Sequence, residues 1–265
     1  TERDLLGLIV LEMGVSSRLC ATLTPGEPVV VMGPTGAPSN TPPDETVLLV
    51  GGGLGNAVLF SIGKALRARG SRVLYFAGYR RREDLFLQDL IEQATDQVIW
   101  AVDQGPPIVP RRPQDLSYVG NMVQALKAYA TGELPGPREL TLSEVDQILV
   151  IGSDRMMAAV TAARQGILKP FLKADHVAVA SVNSPMQCMM KEVCGQCLQR
   201  HVDPATGQET GFVFTCFNQD QPLDCVDWTN LHDRLRANSL AEKLSNRFLD
   251  SLLNEMHVQS PVHSG

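Results

Sequence analysis

Four of the chain's six cysteines, Cys188, Cys194, Cys197 and Cys216, follow the spacing Cys-x5-Cys-x2-Cys-x18-Cys. Four thiolates converging from a loop and a hairpin suit either a [2Fe-2S] cluster or a structural zinc, and the spacing alone does not separate the two. In a reducing compartment such clustering favours metal ligation over disulfides. Cys20 and Cys225 stand apart from the pattern and read as plain buried thiols.

A second chemistry-bearing stretch is Val-Leu-Leu-Val-Gly-Gly-Gly-Leu-Gly-Asn-Ala at 47–57. It places Gly51, Gly52, Gly53 and Gly55 between an apolar strand and a helix start. There the backbone approaches a diphosphate closely, and the helix N-terminus offers free N–H groups and a positive dipole. Glycines at such turns also serve packing alone, so the motif needs its context. The next strand leads into Gly78-Tyr79-Arg80-Arg81-Arg82, where an adenosine ribose sits if the first turn holds the diphosphate. Arginines at that point stack on adenine or pair with a 2′-phosphate, which favours NADP over NAD. The bland reading is a solvated helix start partly neutralised by Glu83 and Asp84. Gly14 and Ser17, in Gly-Val-Ser-Ser-Arg-Leu, offer an amide and a hydroxyl to a phosphate but are locally no more than a turn. The five histidines (176, 201, 232, 257 and 263) stand near no acid or nucleophile motif, so no catalytic side chain is assigned.

The elements that must position these residues alternate from Thr46 onward. Val47–Val50, Arg72–Ala77, Gln97–Val102, Gln147–Ile151 and His176–Ser181 read as buried strands. Asn56–Ala68, Glu83–Ala94, Leu116–Thr131 and Asp154–Gln165 read as the intervening helices. The expected fold is α/β, a five-stranded parallel sheet with helices on both faces. The stretch from Asp103 to Pro113, with four prolines, is a long loop at a strand end. Before Thr46, Leu5–Met13 and Pro28–Met32 read as β segments, too few to close a barrel or bury a sheet face. They suggest the tail of an all-β domain and a chain that is a fragment of a longer one. After Ser184 a cysteine-rich segment runs to Trp228, with a hairpin turn around Asp203–Gly207. A closing helix spans Ser239 to about Met256, with Leu240, Leu244, Phe248 and Leu252 on one stripe. The expected domains are thus 1–43 (barrel strands and linker), 44–184 (nucleotide-binding), 185–228 (metal-binding lobe) and 229–265 (helix and tail).

Length and composition narrow the function. A chain of 265 residues, 44% hydrophobic and 20% charged, carries a formal charge of −6. It lacks the basic surface that nucleic-acid backbones require. The charge-free run from Val47 to Gly63 is interrupted by glycines and closed by Lys64, just short of a membrane span. With no basic-then-apolar leader, the expected compartment is cytoplasmic.

The glycine turn after Val50, the Gly-Ser-Asp-Arg-Met-Met turn at 152–157 and the cysteine segment ending in Val226-Asp227-Trp228 occur in one order that resembles the ferredoxin-NADP reductase superfamily. The likeness is nearest to its iron–sulfur branch: dihydroorotate dehydrogenase electron-transfer subunits, sulfide dehydrogenase, and small subunits of NADH-dependent ferredoxin:NADP oxidoreductases. It is strongest from Ser181-Val-Asn-Ser-Pro-Met186 into Cys194-Gly-Gln-Cys197 and Cys216. The resemblance implies an FAD-binding β-barrel, an NAD(P)-binding α/β domain and a small [2Fe-2S] lobe. It places Gly14 and Ser17 against the flavin diphosphate and Gly51, Gly52, Gly53 and Gly55 against the NAD(P) diphosphate. Gly78, Arg80 and Arg81 fall at the adenosine, Gly152 and Met156 near the nicotinamide, and Cys188, Cys194, Cys197 and Cys216 on the cluster. The family's Arg-x-Tyr-Ser flavin segment has no counterpart, so FAD binding is expected only with an N-terminal barrel. Where the family often carries Ala-Pro after the glycine turn, this chain has Asn56-Ala57-Val58. The Gly-Ser-Asp at 152–154 replaces a common Gly-Pro.

The implied function is an NAD(P)H-dependent flavin and iron–sulfur oxidoreductase that passes electrons to a partner subunit, a fused domain or a ferredoxin. A hydride donor delivers two electrons and an iron–sulfur centre accepts one at a time, so a flavin stands between them. The alternative is a zinc-stabilised docking or nucleotide-sensing module without redox activity.

Overall fold

The computed structural model describes residues 6–31, 33, 36–182, 192, 193 and 195–256. They fall into two compact units: residues 1–34 with 232–265, and residues 35–231.

The larger unit is built on β1 (Thr46–Gly52), whose residues Thr46 to Gly51 are all buried. Such continuous burial suits a strand covered on both faces. After a 3₁₀ turn at Gly53–Gly55 comes α2 (Asn56–Ala68), which buries Leu59, Ile62 and Leu66 at helical spacing. It follows α1 (Val15–Cys20) of the smaller unit in chain order. Next come β2 (Arg72–Tyr79), α3 (Gln88–Gln93), β3 (Gln97–Val102), β4 (Leu116–Val119), α4 (Met122–Thr131), β5 (Gln147–Ile151), α5 (Asp154–Gln165) and β6 (Val177–Ser181). β7 (Leu198–Val202) and β8 (Glu209–Phe214) form an antiparallel hairpin, followed by β9 (Asp220–Pro222) and α6 (Trp228–Glu255).

The main sheet has seven strands in the order β4-β3-β2-β1-β5-β6-β9. All pairings are parallel except that of β9 with β6. Leu59, Ile62, Leu66 and Ile91, from α2 and α3, join Val47, Leu49, Tyr75, Trp100 and Leu149 in the core of one face. On the other face the Tyr129 ring of α4 meets Phe76 edge-on at 5.5 Å. Strand order reverses at β1, which lies between β2 and β5. That is the switch point where open α/β sheets leave a crevice.

Five expected strands and two helices, Asn56–Ala68 and Asp154–Gln165, stand within a few residues of where their patterns put them. Other expectations need correction. The sheet has seven strands, because the span read as helix Leu116–Thr131 begins as β4 and β9 adds an antiparallel strand beside β6. Gly120, at φ +146°, then breaks the chain, and Asn121 caps α4 by accepting a hydrogen bond from the Gln124 N–H at 3.0 Å. Helix Glu83–Ala94 is interrupted, since Leu85 and Phe86 turn towards the core and Leu87 is left-handed at φ 51°. The closing helix starts at Trp228 rather than Ser239. Among the described residues of 6–31 there is no strand; α1 stands there instead. The apolar runs at 6–13 and 28–31 find no ladder to join, and a strand needs hydrogen-bonding partners. Leu5 and Met32 lie outside the described residues.

In the smaller unit, α1 is held to the latter part of α6. Arg18 donates to Asp250 Oδ1 at 2.6 Å, and Asn246 Nδ2 donates to the Met13 carbonyl at 2.8 Å. The side chains of Leu240, Leu244 and Phe248 stay exposed. No helix among the described residues is long and apolar enough to cross a membrane.

Candidate functional site

At the switch point the glycine turn is shaped by crowding on one side and openness on the other. A Cβ on Gly55 would lie 2.4 Å from the Ile151 carbonyl oxygen, and one on Gly51 would lie 2.0 Å from Asn56 Oδ1. Gly53, at φ +54°, has nothing within 4 Å of its Cβ position. The turn is therefore pressed against β5 and presents bare backbone outward. No side chain caps the N-terminus of α2, which continues directly from the 3₁₀ turn, the Asn56 N–H donating to the Gly53 carbonyl.

Across the crevice, Ser153 caps α5, its Oγ accepting from the Met156 N–H at 3.3 Å. The Met156 side chain crosses both glycines: Cβ atoms at Gly52 and Gly152 would lie 2.5 Å from its Sδ and Cε respectively. The structure thus brings Gly51, Gly52, Gly53, Gly55, Gly152 and Met156 together.

Gly78, one residue before the end of β2, stands beside the turn, opposite Gly52 in the β1–β2 register. Arg80, Arg81 and Arg82 follow, exposed, and none of the three enters an ion pair among the described residues. The Asp84 carboxylate accepts the Arg81 backbone N–H at 2.9 Å. Asp103, at the end of neighbouring β3, has its carboxyl raised by partial desolvation, and the Arg80 charge opposes that rise. This end of the sheet therefore carries exposed guanidinium groups beside an open, backbone-lined turn.

Asn56 escaped the sequence reading, where it stood only as a departure from a familiar pattern. It is fully buried, and its carboxamide bridges two segments: Nδ2 donates to the Gly53 and Gly78 carbonyls, each at 3.0 Å. Its Oδ1 accepts from the Tyr75 hydroxyl at 2.8 Å. Burial lifts the Tyr75 phenol well above its ordinary pKa, keeping it a donor. A polar residue directly after a glycine turn was the available signal.

Cys197 and Cys216 flank the hairpin. Leu198 pairs with Phe214, so both cysteines lie just beyond the same end of the β7–β8 ladder. They are 1% and 2% exposed, and Thr215 donates through its N–H and hydroxyl to the Cys197 carbonyl at 3.2 and 3.1 Å. Cys188 and Cys194 lie outside the described residues, so half of the thiol set is placed. Among the described residues no group of three or more His, Cys, Asp or Glu side chains could hold a metal. Cys20 is exposed and its thiol meets the Ser16 carbonyl at 3.4 Å, while Cys225 is partly buried, with burial and Asp224 raising its thiol pKa.

The Val226-Asp227-Trp228 segment joins this hairpin to the first turn of α6. Asp227 accepts from Arg200 Nε at 2.7 Å and from the Asn230 N–H at 2.9 Å, while His201 bridges Val226. One carboxylate thereby caps the helix and anchors the strand carrying Arg200.

Gly14 and Ser17 belong to the smaller unit. Ser17 Oγ accepts the Met13 and Gly14 N–H groups and donates to the Gly14 carbonyl, all at 3.0 Å. That hydroxyl is fully used within its own turn and does not fit a direct flavin phosphate contact. A polar cleft of about 490 Å³ opens at the opposite, N-terminal end of the strands, lined by Glu45, Arg72, Glu144, Asp146 and Lys173 among others. Its charges are largely consumed, Arg72 pairing with Glu144 and Lys173 with Asp146.

No protein-family model matches the chain. An uncharacterised protein of Rickettsia prowazekii is 27% identical over 245 residues, which is 92% of this chain and 25% of that protein. The dihydroorotate dehydrogenase B (NAD(+)) electron transfer subunit homolog of Thermotoga maritima is 32% identical over 105 residues, covering 39% of this chain and 37% of that protein. The corresponding subunit of Bacillus pumilus is 30% identical over 105 residues, covering 38% and 41%. The chain spans well under half the length of these relatives. In fold it is similar to the NADH-dependent reduced ferredoxin-NADP oxidoreductase structure described for flavin-based electron bifurcation. That match has a TM-score of 0.67 at 24% identity, covering 91% of this chain and 75% of the other.

Proposed function

We propose that the chain, similar over 105 residues to dihydroorotate dehydrogenase electron transfer subunits, is a ferredoxin reductase-like protein and the pyridine-nucleotide- and iron–sulfur-binding part of a flavin-dependent electron-transfer oxidoreductase. The observation that carries the reading is the glycine turn at the β1/β5 switch point, sterically closed on the β5 side and open on the other. Gly51, Gly52, Gly53 and Gly55 approach the diphosphate of NAD(P)H. Arg80 and Arg81 face the ribose and favour NADPH. Gly152 and Met156 border the nicotinamide end and keep water from it.

Cys197 and Cys216, with Cys188 and Cys194, hold a [2Fe-2S] cluster, the buried hairpin base supplying a dry thiol environment. When bound, the nicotinamide supplies a hydride, a flavin divides the electron pair and the cluster carries single electrons. The chain's own residues bind and orient these groups, and no side-chain acid or base is required. The receiving partner is a catalytic subunit, a fused domain or a ferredoxin.

Iron, acid-labile sulfide and a visible spectrum of anaerobically purified protein test the cluster. Two irons and two sulfides per chain, lost together in Cys197→Ser, are expected. A colourless protein with one zinc per chain would overturn the redox reading in favour of a zinc-stabilised docking module.

A further inference from the structure

The β1–β2 ladder ends at the pair Gly52 and Gly78. Past that pair the glycine turn and the start of the arginine segment diverge, with no ladder bond between them. Asn56 spans the gap, its two amide hydrogens going one to each segment, at Gly53 and at Gly78. Its third bond, from Tyr75, fixes which edge of the carboxamide faces the carbonyls. Gly51 lacks a side chain where one would collide with Oδ1 at 2.0 Å, so the backbone makes room for this amide.

An alanine at 56 would leave two backbone carbonyls and a buried phenol without these partners. An aspartate would turn an acceptor towards two carbonyl oxygens.

We propose that Asn56 is a positioning residue for a bound pyridine dinucleotide, its carboxamide setting the distance between the backbone that meets the diphosphate and the backbone that meets the adenosine. This rests on the dinucleotide reading above and adds to it a residue that touches neither half of the ligand. Its mark is selective. A ligand that spans both segments depends on their separation, whereas a ligand that engages only the adenosine side does not.

The test compares NADPH with adenosine 2′-monophosphate, which carries the adenosine side without the diphosphate, by calorimetric titration of the full chain. In Asn56→Ala, NADPH affinity is expected to fall about tenfold or more and that of the monophosphate by less than about twofold. Tyr75→Phe, which keeps the amide but frees it to turn, should show the same split at about threefold. It carries the test if Asn56→Ala shows no cooperative thermal unfolding. Equal losses for both ligands, or unchanged NADPH affinity in a folded variant, would overturn the positioning role alone. A wild-type chain that binds neither NADPH nor NADH would overturn the dinucleotide reading, and the inference with it.

Discussion

The two ends of the parallel sheet use charge in opposite ways. At the N-terminal ends, acids preceding three strands each accept the first free N–H of a neighbouring strand. Asp146 takes Thr46 N at 2.8 Å, Asp96 takes Val73 N at 2.7 Å and Asp115 takes Val98 N at 2.9 Å. Each acid also has a cation, Lys173, Arg67 and Arg112 respectively. At the C-terminal ends the turn residues carry no charge, α2 is uncapped, and Arg80, Arg81 and Arg82 make no ion pair among the described residues. One end is saturated and serves stability. The other leaves three exposed guanidinium groups outside any ion pair among the described residues, which suits a ligand-binding end.

Substitutions at the two ends should therefore fail differently. The largest effect is expected for Asp115→Ala. Its side chain is fully buried and paired with Arg112, so urea unfolding should show a loss of about 3 kcal/mol, with NADPH affinity unchanged in the folded protein. Gly55→Ala forces a methyl group against the Ile151 carbonyl; it should cost about 1–3 kcal/mol of stability and in addition weaken NADPH binding more than about tenfold. Retained affinity there would remove the distinction between the ends. Next, Arg80→Ala with Arg81→Ala should leave stability within about 0.5 kcal/mol while weakening NADPH about tenfold more than NADH. Equal losses would show that these arginines do not read a 2′-phosphate.

The smallest effect is the pH response of the saturated end. The hydrogen bond from Lys173 holds the Asp146 carboxyl below the usual carboxylate range, and the Thr141 N–H does the same for Glu144. A depressed acid stabilises fully above its unfolded pKa and loses that contribution as pH falls through the lower folded value. The urea midpoint should thus decline below about pH 4. Asp146→Asn should make the decline shallower, and an unaltered slope would show that the carboxylate is not linked to folding.

How far the fold was legible follows the same division. β1, β3 and β5 are short, apolar and bounded by polar residues, so composition alone marks them. β4 is four residues with Ser117 and Tyr118 inside it, and β9 is Asp220-Gln221-Pro222; neither carries a strand signature, and both exist through pairing at a sheet edge, where proline is tolerated. The apolar runs at 6–13 and 28–31 mislead for the reverse reason, having the composition of strands without partners. In the site, the glycines and arginines were legible because their chemistry is local. Asn56 was not, because its function depends on carbonyls at 53 and 78 that only the β1–β2 register brings together. The cysteine spacing was plain, yet only Cys197 and Cys216 are placed, by the hairpin that pairs Leu198 with Phe214.

The central claim, that the open end of the sheet holds a pyridine dinucleotide, is tested most directly by amide hydrogen exchange of the full chain with and without saturating NADPH. The account predicts slowed exchange at the amides of 53–58 and 79–81, with those of Thr46, Val73 and Val98 at the opposite end unchanged. Saturable NADPH binding that leaves the glycine-turn amides exchanging at their free rate would contradict it.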